Sequence, residues 1–169
     1  SSIAANLPSA PAMLGNTTIW KPASTSVLSN YYLSELMIEA GAPPGVINFL
    51  PGRGAAVGDP VMADSRLAGI HFTGSTGVFQ GIWRSVAENL PNYAQYPRLV
   101  GETGGKDFVM ALPDSDPRTL AVALARGSFE YQGQKCSAAS RAYVPKSIWP
   151  EVLEQLEAIT AEMAMGDPE

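Results

Sequence analysis

The sequence is poor in the residues that most often carry metal and redox chemistry: its 169 residues include one cysteine, Cys136, and one histidine, His71. A single cysteine excludes an intrachain disulfide, and so few thiols and imidazoles exclude a zinc site of clustered Cys and His, so no metal is expected. A Ser-His-Asp system could use only His71. Positive charge is scarce as well, with 11 Lys and Arg against 16 Asp and Glu and a net charge of −5. The cations are scattered singly, so nothing offers an electrostatic footprint for a phosphate backbone, and nucleic acid is not expected as a partner. No apolar stretch approaches the length of a membrane span, and the first cation, Lys21, stands too late for the n-region of a signal peptide. The expectation is a chain with no membrane partner, and a lone cysteine agrees with a reducing compartment, cytoplasm or mitochondrial matrix.

What is present is ordinary soluble globular composition, 46% hydrophobic and 16% charged. At this length a single domain buries roughly 70% of the surface of its unfolded chain, so one domain, with the edge of a second, is the starting expectation. The run Thr17-Thr18-Ile19-Trp20, stopped by Pro22, predicts a strand. Apolar residues at helical spacing predict a helix over 26–40, with Thr25 able to cap it and Gly41 ending it. The alternation then repeats: strand 46–50, helix 55–63, strand 67–73 and helix 75–89. A Pro- and Tyr-rich connection over 90–97 leads to Arg98 to Glu102 and the pair Gly104-Gly105. Strand 108–112, helix 117–131, strand 141–144 and helix 147–163 follow. Such a rhythm predicts an α/β fold with an open parallel sheet, and the glycine pair marks the expected domain boundary. No internal repeat is visible, which removes solenoid architectures. The start on Ser-Ser and the end on Gly-Asp-Pro-Glu suggest that processing or truncation has set both ends.

Cys136 lies in a polar, glycine-containing segment, Tyr131 to Ala138, between a helix and a strand. It reads either as a small buried hydrophobe or as a nucleophile, with Lys135 favouring thiolate if its ammonium is close. His71, in a strand of buried composition, reads as a residue packed against a neighbouring helix. The base should therefore be a carboxylate, and Glu102 stands at a strand end directly before Thr103-Gly104-Gly105. Two glycine-bearing turns leave strands and open helices: Gly52 to Gly58, and Phe72-Thr73-Gly74-Ser75-Thr76-Gly77. Either could be mere punctuation, but backbone N–H groups at a helix start form an anion site that suits a pyrophosphate.

Together these segments resemble the aldehyde dehydrogenase superfamily. Ile19-Trp20-Lys21-Pro22 is similar to its adenosine-binding strand, Phe72-Thr73-Gly74-Ser75 to its cofactor turn, Glu102-Thr103-Gly104-Gly105-Lys106 to its glutamate motif, and Gly133-Gln134-Lys135-Cys136 to its nucleophile loop. A narrower resemblance, carried by Phe129 to Ala138, Tyr96 to Glu102 and Asn6 to Pro11, is to the 1-pyrroline-5-carboxylate dehydrogenases of proline breakdown. The resemblance implies an open Rossmann-like sheet over 1–103, forming most of an NAD(P)-binding domain, with the start of a catalytic domain over 104–169. It implies NAD as cofactor and oxidation of L-glutamate γ-semialdehyde to L-glutamate, with Cys136 as nucleophile and Glu102 as water-activating base. Lys21, Ser24, Gly54, Gly58, Phe72, Thr73, Gly74 and Ser75 would then line the cofactor, and Lys135 and Ser137 the substrate.

Two positions depart from the family pattern. Phe79 stands where many members have glycine, flanked by Gly77 and Gly81, and Ser24 stands where NAD-dependent relatives often carry an acid, which implies that NADP is tolerated. The resemblance also implies that an oxyanion-donating asparagine, a segment holding the nicotinamide ribose, a substrate-anchoring loop and the strand arm for homo-oligomerisation all lie outside this sequence. The expectation is a fragment inactive or nearly so by itself, with Val152, Leu156 and Ile159 facing solvent. Other readings are a dehydrogenase for another aldehyde and a nucleotide-binding module with an inert cysteine.

Overall fold

The computed structural model describes residues 2–167. The chain divides between Thr103 and Gly104 into two compact units, 1–103 and 104–169, each taken by itself below. It has an α/β fold with parallel strands and connecting helices. In the first unit the order is α1 (Ser2–Met13), β1 (Thr18–Trp20), α2 (Val27–Glu39), β2 (Ile47–Phe49), α3 (Gly54–Ala63), β3 (Gly69–Gly74), α4 (Thr76–Asn89) and β4 (Arg98–Thr103). In the second it is β5 (Asp107–Met110), α5 (Pro117–Phe129), β6 (Ala139–Tyr143) and α6 (Trp149–Ala161).

The open sheet expected from the alternation is not one continuous ladder. Among the described residues it is three parallel pairs, β1 with β2, β3 with β4 and β5 with β6. The partners in the first and third pairs, like those in the second, are joined by one crossover helix, α2, α5 and α4 respectively. Hydrogen bonding therefore follows the shortest connections the chain offers.

Helix α1 was not evident from the sequence, because Pro8 and Pro11 inside it deny the ladder two N–H donors. It forms because it packs against β1, β2 and β3, with Pro8 buried: tertiary contact overrides propensity. Helix α2 is entered through a 3-10 turn over Ser24–Ser26. That turn takes the cap position from Thr25 and gives it to Ser26, whose hydroxyl accepts from Asn30 Nδ2 at 3.3 Å. Gly41 ends α2 as expected, at φ +98°, where any other residue would be strained.

Helix α5 begins with Asp116, whose carboxylate accepts from the Thr119 N–H at 2.7 Å, and with Pro117 in its first turn. Its Leu120, Ala121, Leu124 and Ala125 share one face and are buried. With Ala111 and Val152, Leu120 and Leu124 form a core flanked by Val109, Val144, Ile148 and Leu156. The solvent-facing α6 stripe expected from the sequence is thus overturned: Val152 is wholly buried, and Leu156 and Ile159 are half-buried. α5 packs directly on α6 and covers that face.

Candidate active site

In the first unit, β1 and β2 run parallel, and the Leu50 N–H donates to the Trp20 carbonyl at 2.9 Å, so both strands end at one edge. There the chain leaves β1 through Lys21 and β2 through Gly52 and Arg53. Lys21 is half-buried, and its Nζ donates to the Pro22 carbonyl at 2.7 Å, which holds the ammonium at this edge. Ser24 is exposed. Gly54 is the first residue of α3 and Gly58 lies one turn on; neither is sterically confined. The confined glycine is Gly52, where a Cβ would fall 2.7 Å from Val57 Cγ2. Its position between strand and helix was the only signal for it.

The second pair brings two sets of expected residues together. Phe72 lies opposite Gly101, Thr73 opposite Glu102 and Gly74 opposite Thr103. The cofactor-type turn and the candidate base thus share one strand end. Beyond it Ser75 caps the 14-residue α4, its hydroxyl accepting from the Val78 N–H at 3.4 Å. Gly74 to Gly77 are exposed, and a Cβ on Gly74 would stand 2.6 Å from the Phe72 ring. Exposed N–H groups at the positive end of a helix suit an anion, so this turn fits the pyrophosphate of a dinucleotide.

His71 is exposed, contrary to the expectation that it packs against a helix. α4 packs on the β3–β4 pair, where Ile70, Phe72 and Leu99 are half-buried. Strand alternation puts His71, Thr73, Val100 and Glu102 on the opposite face.

In the second unit, α5 ends at Phe129, and the chain reaches β6 at Ala139 through the segment that holds Cys136. Tyr131, Gln132 and Gly133 follow one another with φ of 54°, 53° and 67°. Three successive left-handed residues, two with a Cβ, make a strained reversal. A Cβ on Gly133 would fall 2.9 Å from the Ser128 carbonyl, which folds the reversal back on the helix end. The Gln134 N–H donates to the Tyr131 carbonyl at 3.1 Å, and the Ala138 N–H to the Lys135 carbonyl at 3.0 Å, so Cys136 sits within a closed turn.

Cys136 is half-buried rather than sealed in the core. Gly105 lies so close to its carbonyl that a Cβ there would overlap it. Lys135 Nζ lies 3.1 Å from Glu130 Oε2, with both side chains about half exposed. The charge expected to act on the thiol is therefore shared with Glu130. Ser137 is exposed.

The model of the aldehyde dehydrogenase family matches residues 3–169. The chain belongs to the aldehyde dehydrogenase family. Among its relatives, the mitochondrial delta-1-pyrroline-5-carboxylate dehydrogenase of Dictyostelium discoideum is 51% identical over 98% of this chain and 30% of that protein. The delta-pyrroline-5-carboxylate dehydrogenase of Mycobacterium tuberculosis, solved with bound NAD, matches with a TM-score of 0.86 and 56% identity over 95% of this chain and 30% of that one. The NAD-bound 1-pyrroline-5-carboxylate dehydrogenase from Thermus matches at 0.77 and 37% over 88% and 29%. The chain therefore spans about 30% of the length of these three relatives. No described helix is long and apolar enough to cross a membrane. Among the described residues no cluster of three His, Cys, Asp or Glu could hold a metal ion.

Proposed function

We propose that this chain carries the nucleophile, the base and part of the cofactor surface of an NAD-dependent dehydrogenase that oxidises L-glutamate γ-semialdehyde, formed by opening of 1-pyrroline-5-carboxylate, to L-glutamate in proline catabolism. The observation that carries the reading is Cys136, a half-buried thiol in a closed turn whose backbone is pressed onto Gly105. A nucleophile needs this combination of access and fixed position. The substrate class is supported by relatives that share this name at half identity or more across nearly the whole chain.

The dinucleotide fits the edge elements of the first unit: Lys21 toward the adenosine ribose, with Ser24 adding no carboxylate that would repel the 2′-phosphate of NADP; Gly54 and Gly58 at the start of α3; and the Phe72-Thr73-Gly74-Ser75 turn toward the pyrophosphate. Bound NAD supplies the hydride acceptor. Cys136 Sγ, as thiolate, adds to the aldehyde carbon to give a hemithioacetal, which becomes a thioester on loss of hydride. Glu102 takes a proton from water as that water attacks the thioester carbon; the C–S bond breaks and the thiolate is restored. Ser137 and Lys135 suit the carboxylate of an acidic substrate. Activity is assigned to the whole protein, a homo-oligomer working in the bacterial cytoplasm or the mitochondrial matrix; these 169 residues alone are expected to be inactive or nearly so.

Replacement of Cys136 by Ala in the whole protein is expected to lower kcat for NADH formation from glutamate semialdehyde by on the order of a thousandfold or more, with NAD affinity kept. Retention of most of the activity would refute the assignment. Equal or better turnover of simple aliphatic aldehydes by the parent protein would refute the substrate instead.

A further inference from the structure

Phe79 stands at the start of α4, where its ring ties together three parts of the first unit. Its N–H donates to the Ser75 carbonyl at 3.1 Å, so Phe79 belongs to the first turn of α4, directly after the cofactor-type turn. Its ring lies flat against Phe72, with centroids 5.6 Å apart and planes 5° from parallel. Trp83 meets the same ring edge-on at 6.5 Å and 77°. A Cβ on Gly101 would overlap the Phe79 ring, so the ring rests directly on the β4 backbone there. Phe72 is in register with Gly101. One aromatic ring at the start of α4 thus touches Phe72 of β3, Trp83 further along α4 and the residue before Glu102.

The placement matters because Glu102 stands in a glycine-rich stretch, between Gly101 and Gly104-Gly105, with Gly104 at φ +44°. Glycine adds no side chain to the packing on either side of Glu102, so pairing with β3 and the Phe79 ring on Gly101 are what hold this strand end. Successive residues of a strand face opposite ways, so Phe79 presses from the α4 side while Glu102 projects from the other.

We propose that Phe79 is a positioning residue for Glu102: through Gly101 it fixes the strand end that carries the base relative to the cofactor-type turn. This rests on the reading of Glu102 as the base that hydrolyses the thioester. Misplacement of a reacting group by about 1 Å costs on the order of a hundredfold in rate. The expected signature is selective: hydrolysis slows while thioester formation does not.

The test uses the whole protein to which these 169 residues belong, with an aldehyde substrate and NAD, comparing the pre-steady-state burst of NADH with steady-state turnover in the parent, Phe79→Ala, Phe79→Leu, Glu102→Gln and the Phe79→Ala/Glu102→Gln double variant. Expected are an unchanged burst in the Phe79 variants, turnover lowered by roughly ten- to a hundredfold in Phe79→Ala and less in Phe79→Leu, and a double variant no slower than Glu102→Gln alone. A burst slowed as much as turnover would overturn the proposal, as would turnover within about twofold of the parent or effects that multiply in the double variant. Should Phe79→Ala fail to fold, Phe79→Leu decides by the same criteria. Parent-like turnover of Glu102→Gln would remove the reading of the base and this inference with it, whereas slow Glu102→Gln beside parent-like Phe79 variants would remove the inference alone.

Discussion

The two units are built differently. Among the described residues, the shorter unit buries six apolar side chains, Ala111, Leu120, Ala121, Leu124, Ala125 and Val152, whereas the longer one buries five, Pro8, Trp20, Pro22, Leu67 and Val86. In the second unit Ala111, Leu120, Leu124 and Val152 form one core cluster, with α5 packed on both α6 and β6. In the first, α2 turns Asn30 and Ser34 inward and leaves Leu28, Tyr32, Leu36 and Ile38 between 59% and 68% exposed. A core side chain fully removed from water contributes roughly 1.5–3 kcal/mol, so apolar burial stabilises the second unit more per residue than the first. The first unit relies more on hydrogen-bonded turns and half-buried contacts, such as the Tyr93 hydroxyl donating to the Met62 carbonyl.

The sharpest way to break this contrast is to cut a cavity on one side and trim an equal side chain on the other. Leu124→Ala, at a site 4% exposed, is expected to cost about 2–5 kcal/mol of unfolding free energy. Leu36→Ala, at a site 59% exposed, should change stability by about 0.5 kcal/mol or less. Denaturant titration followed by far-UV circular dichroism measures both, and equal costs would dissolve the distinction.

Backbone strain is divided in the same way, and its expected effect is smaller. In the first unit the described left-handed positions are Gly15, Gly41 and Gly45, but in the second Tyr131 and Gln132 adopt that conformation with a Cβ. Gln132→Gly should therefore raise stability by about 1 kcal/mol or less, because relief of strain exceeds the added freedom of the unfolded chain. Gly41→Ala, at φ +98°, should lower it by a similar amount. Thermal unfolding of the two variants checks the opposite signs.

Much of this was legible in the residues, and what was not has physical reasons. The strands and the helices after α1 follow from apolar spacing and from punctuation such as Gly41, which act locally. α1 was hidden because Pro8 and Pro11 argue against a helix until β1, β2 and β3 supply the surface it covers. The exposure of His71 was hidden because a strand's composition does not say which face is covered, and α4 covers the face of Ile70 and Phe72. Cys136, Glu102 and the Phe72 to Ser75 turn stood out through residue type and context. The tightness of Gly52 against Val57, of Gly101 against Phe79 and of Gly105 against the Cys136 carbonyl is tertiary, and no spacing rule reports it. Nor did the sequence show that Lys135 would reach back to Glu130.

The smallest expected effect concerns acid: among the described residues each unit has one carboxylate held below its usual range, Asp64 well below it and Asp116 by less. In the first, Asp64 is held down by the side-chain hydrogen bonds of Arg66 and by the Arg66 N–H. In the second, Asp116 is held down by Thr119, first through its side chain and then its N–H, with Arg118 adding charge. A carboxylate depressed in the folded state stabilises at pH values above the unfolded pKa, ~3.9, and that contribution is lost as pH falls through the lower folded value. Only the difference between folded and unfolded chains counts, however. Arg66 is two residues from Asp64, so their contact can persist in the unfolded chain, whereas the Thr119 N–H is aimed at Asp116 only when α5 is formed. Asp116→Ser keeps a capping oxygen without a titrating group, as Ser75 does at α4. It should flatten the fall in stability between about pH 5 and pH 2 more than Asp64→Ser does, although the Asp64 shift is the larger. Urea midpoints across that range measure the slope, and a greater flattening by Asp64→Ser would mean that the short-range pair forms only on folding.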